Sequence, residues 1–357
     1  MSSQDFSPVQ AVQLATRNHG MPLEALRYPI TPVGLHYLLI HFDIPAVDAG
    51  AWRLTVGGEV ARPLSLSLDD LGGRGATELT STMECAGNGR AGLDPMPASQ
   101  PWVLEAVGNA RWRGVALRTL LEEAGLTERT VEILFTGLDR GLDGGTEQSY
   151  QRSLPVAEAM RDDVLLAFEM NGAPLLPQHG FPLRLVVPGW YGMTNVKWLT
   201  AITALDRPFD GYQQVQSYRF KRDPDDEGVS LTRMLPRALM VPPGIPVFLT
   251  RERVAEPGEH LLEGRAWSGH APIARVEVSD DDGESWQPAE VSNHADEPWA
   301  WRSWAYRWTA TPGRHILCCR AADEAGNVQP LEPEWNIGGY ANNSVQRVPV
   351  TVSDQSL

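Results

Sequence analysis

Cys85 is the residue with the most chemical reach in this chain. It lies in STMECAGNGR (residues 81–90), followed by small, turn-forming residues and, five positions on, by Arg90. A thiolate is stabilised by a nearby cation or by a metal. The AGNG run lets the backbone approach a bulky ligand, because glycine adopts conformations that other residues avoid. Taken alone, a cysteine ahead of a glycine turn reads as a buried packing residue. One cysteine cannot build a zinc site, and no CxxC or HExxH spacing occurs in the chain. A second segment, PQHGFPLRLVVPGWYGMTNVKWL (residues 177–199), places His179, Arg184 and Lys197 around a short strand and a glycine-rich turn. That composition suits a phosphate and the polar edge of a heterocycle. Cys318 and Cys319 are neighbours, and neighbours on a strand point to opposite faces, so they are packing residues rather than joint ligands. No GxSxG elbow supports a hydrolase.

The elements that would position these residues are legible in outline. WRLTVGG (52–58) is a period-two strand ended by glycines, and LRLVV (183–187) is a short apolar strand closed by Pro188 and Gly189. Leu117, Leu120, Leu121 and Ala124 follow helical spacing, with Gly125 placed to stop the helix. Helix and strand signals mix over the first 220 or so residues, as in an α+β domain. KRDPDDEG (221–228) and the proline-marked LPRALMVPPGIP (235–246) then read as a linker. Beyond it come short alternating segments, LLEGRAW, ARVEVS, YRWTAT, RHILCCRA and VQRVPVTV, separated by the turn clusters DDDGES and DEAGN. This is the spacing of an all-β, immunoglobulin-like sandwich. Seven of the twelve tryptophans fall between Trp267 and Trp335, which predicts a small core filled by large rings. The expected domains are 1–230 and 235–357.

Composition narrows the function. A chain of 357 residues accommodates two domains. A formal net charge of −15 without Lys/Arg clusters argues against nucleic acid as a partner. It also repels anions at long range, so any anion site must be built from a few local cations. Three cysteines cannot form a disulfide framework. No run approaches the ~18 apolar residues of a membrane span, and no signal-peptide pattern opens the chain, so the expected location is the cytoplasm.

Together the two chemical segments are specific. The chain resembles the sulfite oxidase family of molybdopterin enzymes over nearly its whole length. Cys85 to Arg90 match the family's C-A-G-N-x-R element, and His179 to Leu199 match H-G-F-P-x-R-x-V-V-P-G…V-K-W-L. FTGLDRG around Asp139, FEMNG (168–172), RAWSG, DEAGNVQP and the tail WNIGGYANNSVQRV follow in the family's order. The resemblance implies an α+β molybdopterin-binding domain of sulfite oxidase type followed by a sandwich that mediates homodimerisation. It implies a molybdenum–molybdopterin cofactor with Cys85 as the protein's sulfur ligand to the metal. His41, Asp139, His179, Arg184, Thr194, Asn195 and Lys197 then fall where the family contacts the pterin and its phosphate. Arg90, Trp102 and Tyr218 fall where members line the substrate pocket; from the residues alone, Trp102 reads equally as core and Tyr218 as linker. The implied reaction is oxygen-atom transfer that oxidises sulfite to sulfate, with Arg90 facing the anion and Tyr218 hydrogen-bonding to it. The chain has no CxxCH haem motif, so no haem is expected and electrons must leave to a separate acceptor.

One departure bears on the substrate. The family's R-N-H-x-P-x-P element aligns with LIHFDIP (39–45), which keeps His41 but has Leu39 at the arginine position and Ile40 at the asparagine position. A literal RNHG lies upstream at 17–20. Either it folds back and brings Arg17 to the pocket, or it is a coincidence of composition. The first of the arginine pair after CAGN is replaced by Gly89. Both changes remove positive charge from the expected anion pocket. They leave room for a second reading, an oxotransferase of the same cofactor class acting on an S-oxide or N-oxide. A non-catalytic scaffold is disfavoured by the joint presence of Cys85, His179, Arg184 and Lys197.

Overall fold

A computed structural model describes residues 7–292 and 296–353. Its first half is built on two sheets. One orders its strands Leu64–Leu66, Leu54–Gly58, Leu199–Leu205, Glu132–Asp143 and Thr146–Pro155. The other runs Thr77–Glu84, Val107–Ala116, Leu165–Met170 and Ala173–Pro174, with Arg184–Val186 also paired to Leu165–Met170. The expected helix forms at Leu117–Ala124. Leu117, Leu120, Leu121 and Ala124 are all buried, and Gly125 at φ +70° donates its N–H to Leu121 as the terminating residue. That buried stripe joins Trp52, Leu54, Val56, Phe135, Leu185 and Leu199 in one core, each leucine contributing about 1.5–3 kcal/mol by leaving water. Helices in this half are short, ten residues at most, so strands do most of the positioning.

The second half is a two-sheet sandwich. Strands Arg237–Met240, Gly258–Trp267, Arg302–Ala310 and Glu290–Val291 form one sheet. Ile245–Pro246, Arg253–Ala255, Gln346–Val352, Gly313–Asp323, Ile273–Ser279 and Gln287–Pro288 form the other. All five alternating segments read from the sequence lie on these strands. Cys318 and Cys319 are free and fully buried on successive positions of Gly313–Asp323; Cys319 joins the sandwich core and the Cys318 sulfur faces Asp282.

Two expectations need correction. Residues 237–240 are not linker: they form a fully buried strand paired antiparallel to residues 264–267. The prolines that suggested a linker flank this strand, at Pro236 and Pro242, rather than interrupting it. The clustered tryptophans do not simply fill the sandwich either. Only Trp304 and Trp308 belong to its core. Trp267 and Trp301 pack with Met21, Ala86, Tyr191 and Tyr218 in a cluster that spans the two halves. Trp299 donates its indole N–H to Asp163 of the first half, at 2.6 Å. The rings weld the two halves together.

Candidate active site

Strand Thr77–Glu84 ends at the Cys85 loop, and the loop is tied down on all sides. The Cys85 N–H donates to Ala106 O at 2.9 Å, and Asn88 N–H donates to Cys85 O at 3.0 Å. The Asn88 side chain accepts from Ala106 N–H and donates to Leu104 O and to Glu84. Glu84, 2% exposed, forms an ion pair of 2.9 Å with the equally buried Arg237 and accepts from the Trp267 indole at 2.9 Å. The C-terminal tail closes the other side. Ala341 N–H donates to Ala86 O, Asn342 Nδ2 to Gly89 O, and Arg237 to Asn342 O. Gly89, at φ +89°, abuts Asn342 so closely that a Cβ there would lie 2.8 Å from its carbonyl oxygen.

Cys85 lines a partly open cleft. Its walls include His41, Asp139, His179, Arg184, Asn195, Lys197 and Tyr218. Most of the residues singled out in the sequence, drawn from five separate stretches of chain, thus meet at one place. Three lie off the walls. Thr194 is fully buried in the turn Gly192–Thr194, whose neighbours Met193 and Asn195 line the cleft. Trp102 packs in the same cluster as Cys85, and its indole favours the thiolate. Arg90 is turned away: it donates to Gly338 O at 2.9 Å and Gln100 O at 2.7 Å and stacks on Tyr340. It fastens the tail to the Cys85 loop.

Leu39 lines the cleft with an apolar side chain. The RNHG segment does fold back: His19 pairs with Leu38, and Asn18 accepts from Ile40 N–H at 2.7 Å. Arg17, however, is exposed and donates to Phe42 O at 2.7 Å, outside the cleft wall. Reasoning from sequence missed His36, Tyr37, Met83 and Tyr150, all on the walls, and Arg152 behind them. The signal for the last two was strand alternation in SYQRS: Tyr150 and Arg152 lie two apart and share a face.

Burial sets the electrostatics. It lowers His36 to about 4 and His41 and His179 to about 3, so all three imidazoles are neutral near pH 7. Burial lowers Lys197 to about 7 and raises Asp139 to about 6, each partly offset by the other's charge. The Cys85 thiol is pushed up by burial and drawn back by Arg90, by the Gly87 N–H at 3.4 Å, and by Trp102. Arg184 and Lys197 make no ion pair with a carboxylate among the described residues. Arg184 donates to His179 O, and Lys197 to Leu39 O and Gln178 O. Buried cations without counter-anions are costly unless something else supplies the charge. Polar atoms are also left without partners: His36 Nε2, Asp139 Oδ1, Arg184 Nε and Thr194 Oγ1. One thiol, two free cations and a set of idle donors and acceptors fit a metal held by sulfur on an anionic, heteroatom-rich organic carrier. No cluster of three or more His, Cys, Asp or Glu among the described residues could hold a bare ion.

Residues 41–213 match the model of an oxidoreductase molybdopterin binding domain, and residues 247–353 that of a Mo-co oxidoreductase dimerisation domain. The chain is 35% identical to chicken sulfite oxidase, over 89% of its own length and 72% of that protein's. The chain belongs to the sulfite oxidase family of molybdopterin oxidoreductases. It is 35% identical to human mitochondrial sulfite oxidase, covering 99% of this chain but only 65% of that relative. The family likeness extends to a nitrate reductase [NAD(P)H] of barley, 32% identical over 90% of this chain and 39% of the relative. The crystal structure of the sulfane dehydrogenase SoxCD from Paracoccus pantotrophus superposes with a TM-score of 0.81, at 29% identity over 99% of this chain and 90% of that one. The fold is accordingly that of a sulfite oxidase-type molybdenum domain joined to a strand-rich dimerisation domain. Among the described residues no helix is long and apolar enough to cross a membrane.

Proposed function

We propose that this member of the family oxidises sulfite to sulfate and passes the electrons to a separate acceptor. The observation that carries the reading is the meeting of Cys85 with His179, Arg184, Asn195 and Lys197 in one cleft that also holds His41 and Tyr218. When bound, the molybdenum–molybdopterin group supplies the two-electron exchange that accompanies oxygen-atom transfer. Cys85, whose free thiol is kept protonated by burial, would give the metal its protein thiolate. Arg184 and Lys197 neutralise the phosphate of the pterin. His41, Asp139, His179, Thr194 and Asn195 address its polar edges; Thr194 Oγ1 and Asp139 Oδ1 have no other partner. Tyr218 keeps its phenolic proton, because burial pushes its ionisation well above the ordinary value, and it stands at the substrate end as a hydrogen-bond donor. Arg90 and Trp102 hold the Cys85 loop from behind. The protein works as a homodimer through its second domain, and its three free, buried cysteines suit the reducing cytoplasm.

A second reading, reduction of an S-oxide or N-oxide, is favoured by Leu39 on the cleft wall and by the likeness to a nitrate reductase. Anaerobic addition of sulfite to molybdenum-loaded protein separates the two. Bleaching of the thiolate-to-molybdenum absorption at stoichiometric sulfite is expected. A loaded protein that keeps its spectrum with sulfite would overturn the assignment in favour of the second reading.

A further inference from the structure

Three cations stand in or against the cleft without a carboxylate partner. Arg184 and Lys197 have the pterin phosphate as their proposed anion, and Arg152 has none. Its side chain is 2% exposed, its Nε is buried without a hydrogen-bond partner, and its terminal nitrogen donates to the carbonyl of Gln213. No ion pair with a carboxylate forms at Arg152 among the described residues; the charge of Glu132 acts on it only weakly, and burial outweighs it. A guanidinium held dry in this way destabilises the fold unless an anion offsets it. Its position says what it faces. The carbon of the guanidinium lies 5.5 Å from the centre of the Tyr218 ring. The Tyr218 hydroxyl bonds His41 Nε2, and His41 stacks on Tyr150 at 4.5 Å. His41, Tyr150 and Tyr218 all line the cleft.

Other positive charge at this end of the cleft is already engaged. Lys197 lines the same cleft and its charge reaches His41, but its nitrogen is bound to the carbonyls of Leu39 and Gln178. Leu39 is apolar, Arg17 is outside, Arg90 is tied to carbonyl oxygens and lies over Tyr340, and burial keeps His41 neutral. The groups on the surrounding elements are Tyr150 on the same strand, Tyr218 and Tyr340, Glu132, and Gln213 on the short helix Tyr212–Val215. None of them is a cation. A buried charge acts through a medium of low polarizability, so its field carries across one aromatic ring with much less loss than in water.

We infer that Arg152, acting through Tyr218 and His41, makes this end of the cleft selective for a small oxyanion, in place of the arginine that the family element would put at position 39. It is a positioning and field-setting residue, since Tyr218 and Tyr150 stand between it and the cleft. The inference rests on the reading of the site as one that takes an oxyanion. Arg152 also adds to Lys197 and Arg184 a third positive charge that helps a chain of net charge −15 admit an anion.

The test uses the molybdenum-loaded enzyme and the variants Arg152→Met, Arg152→Gln and Arg152→Lys. Two quantities are read for each: steady-state KM and kcat for sulfite, and the dissociation constant of sulfate from its stabilisation of the folded protein against heat. The neutral variants should raise the KM for sulfite and the sulfate dissociation constant together, by roughly tenfold, with kcat falling less. Lysine should keep most of the affinity. If the Met variant does not fold, the Gln and Lys pair gives the same comparison. Sulfate affinity within about twofold of wild type in the neutral variants, or a loss confined to kcat, would overturn the role of Arg152 and leave sulfite oxidation standing. If the wild type ignores sulfite but binds nitrate, and that binding weakens in Arg152→Gln, the sulfite reading fails and the inference holds. A wild type that binds none of the three anions overturns both.

Discussion

Two residues carry the sharpest expectations. Cys85→Ser should keep the fold, since both side chains are small and the loop is held by neighbouring groups, yet abolish oxygen-atom transfer by more than about a thousandfold. Full turnover with normal circular dichroism would remove Cys85 as the metal's ligand. Lys197 links the site to pH. Its folded value, near 7, lies below the ordinary 10.5, so between those limits the unfolded chain binds the proton that the folded chain has released. Its contribution to stability is therefore present at high pH and lost as pH falls toward 7. Cofactor-free protein should gain stability against urea from pH 7.5 to pH 9.5, and Lys197→Met should flatten that rise. An unaltered slope in the variant would place the titration elsewhere. At this scale the sequence was readable for most residues that sat in a dense motif. His41, Asp139, His179, Arg184 and Lys197 all reach the cleft. Arg90 sits in such a motif too and still turns away, because motif spacing does not say which side of a loop a long side chain takes. Arg152 was harder to find: alternation in SYQRS puts it on the face of Tyr150, but what covers it, Gln213 and Tyr218, lies more than sixty residues on in the chain.

Elements matter here through the contacts they make at their ends. Strand Thr77–Glu84 delivers Glu84 beside Cys85, and strand Gly258–Trp267 delivers the indole that bonds it. Trp267→Phe removes one hydrogen bond to a buried carboxylate while keeping most of the packing. It should cost about 1–3 kcal/mol, read as a lower urea midpoint. A midpoint equal to wild type would show that Arg237 and Asn88 suffice to hold Glu84. The elements themselves were largely legible, the helix Leu117–Ala124 from its apolar spacing and the sandwich strands from their alternation. The strand Arg237–Met240 was not, because a four-residue strand buried on both faces shows no alternation, and the prolines on either side of it are the marks of a loop.

For the whole molecule, the two halves behave as one structural unit. A chain cut near residue 235 would lose Arg237, Trp267 and residues 338–342, leaving Glu84 buried without a counter-charge and the Cys85 loop without its outer wall. Such a fragment should lack cooperative thermal unfolding rather than give a folded monomer. A sharp transition in the isolated fragment would refute this coupling. Monomers are better sought by substituting exposed residues of the second domain than by removing it.

The tail contacts also set an order of events in the cell. Ala341 and Asn342 lie far downstream of Cys85 in the chain, and they complete the wall around the metal-binding loop. While the ribosome is still adding those residues, the loop has nothing to close against. Cofactor insertion should therefore wait until residues 338–342 have been made and packed against the loop. A chain that stops short of them, however far its first sheets have folded, offers the carrier of the molybdenum group no completed place to deliver it.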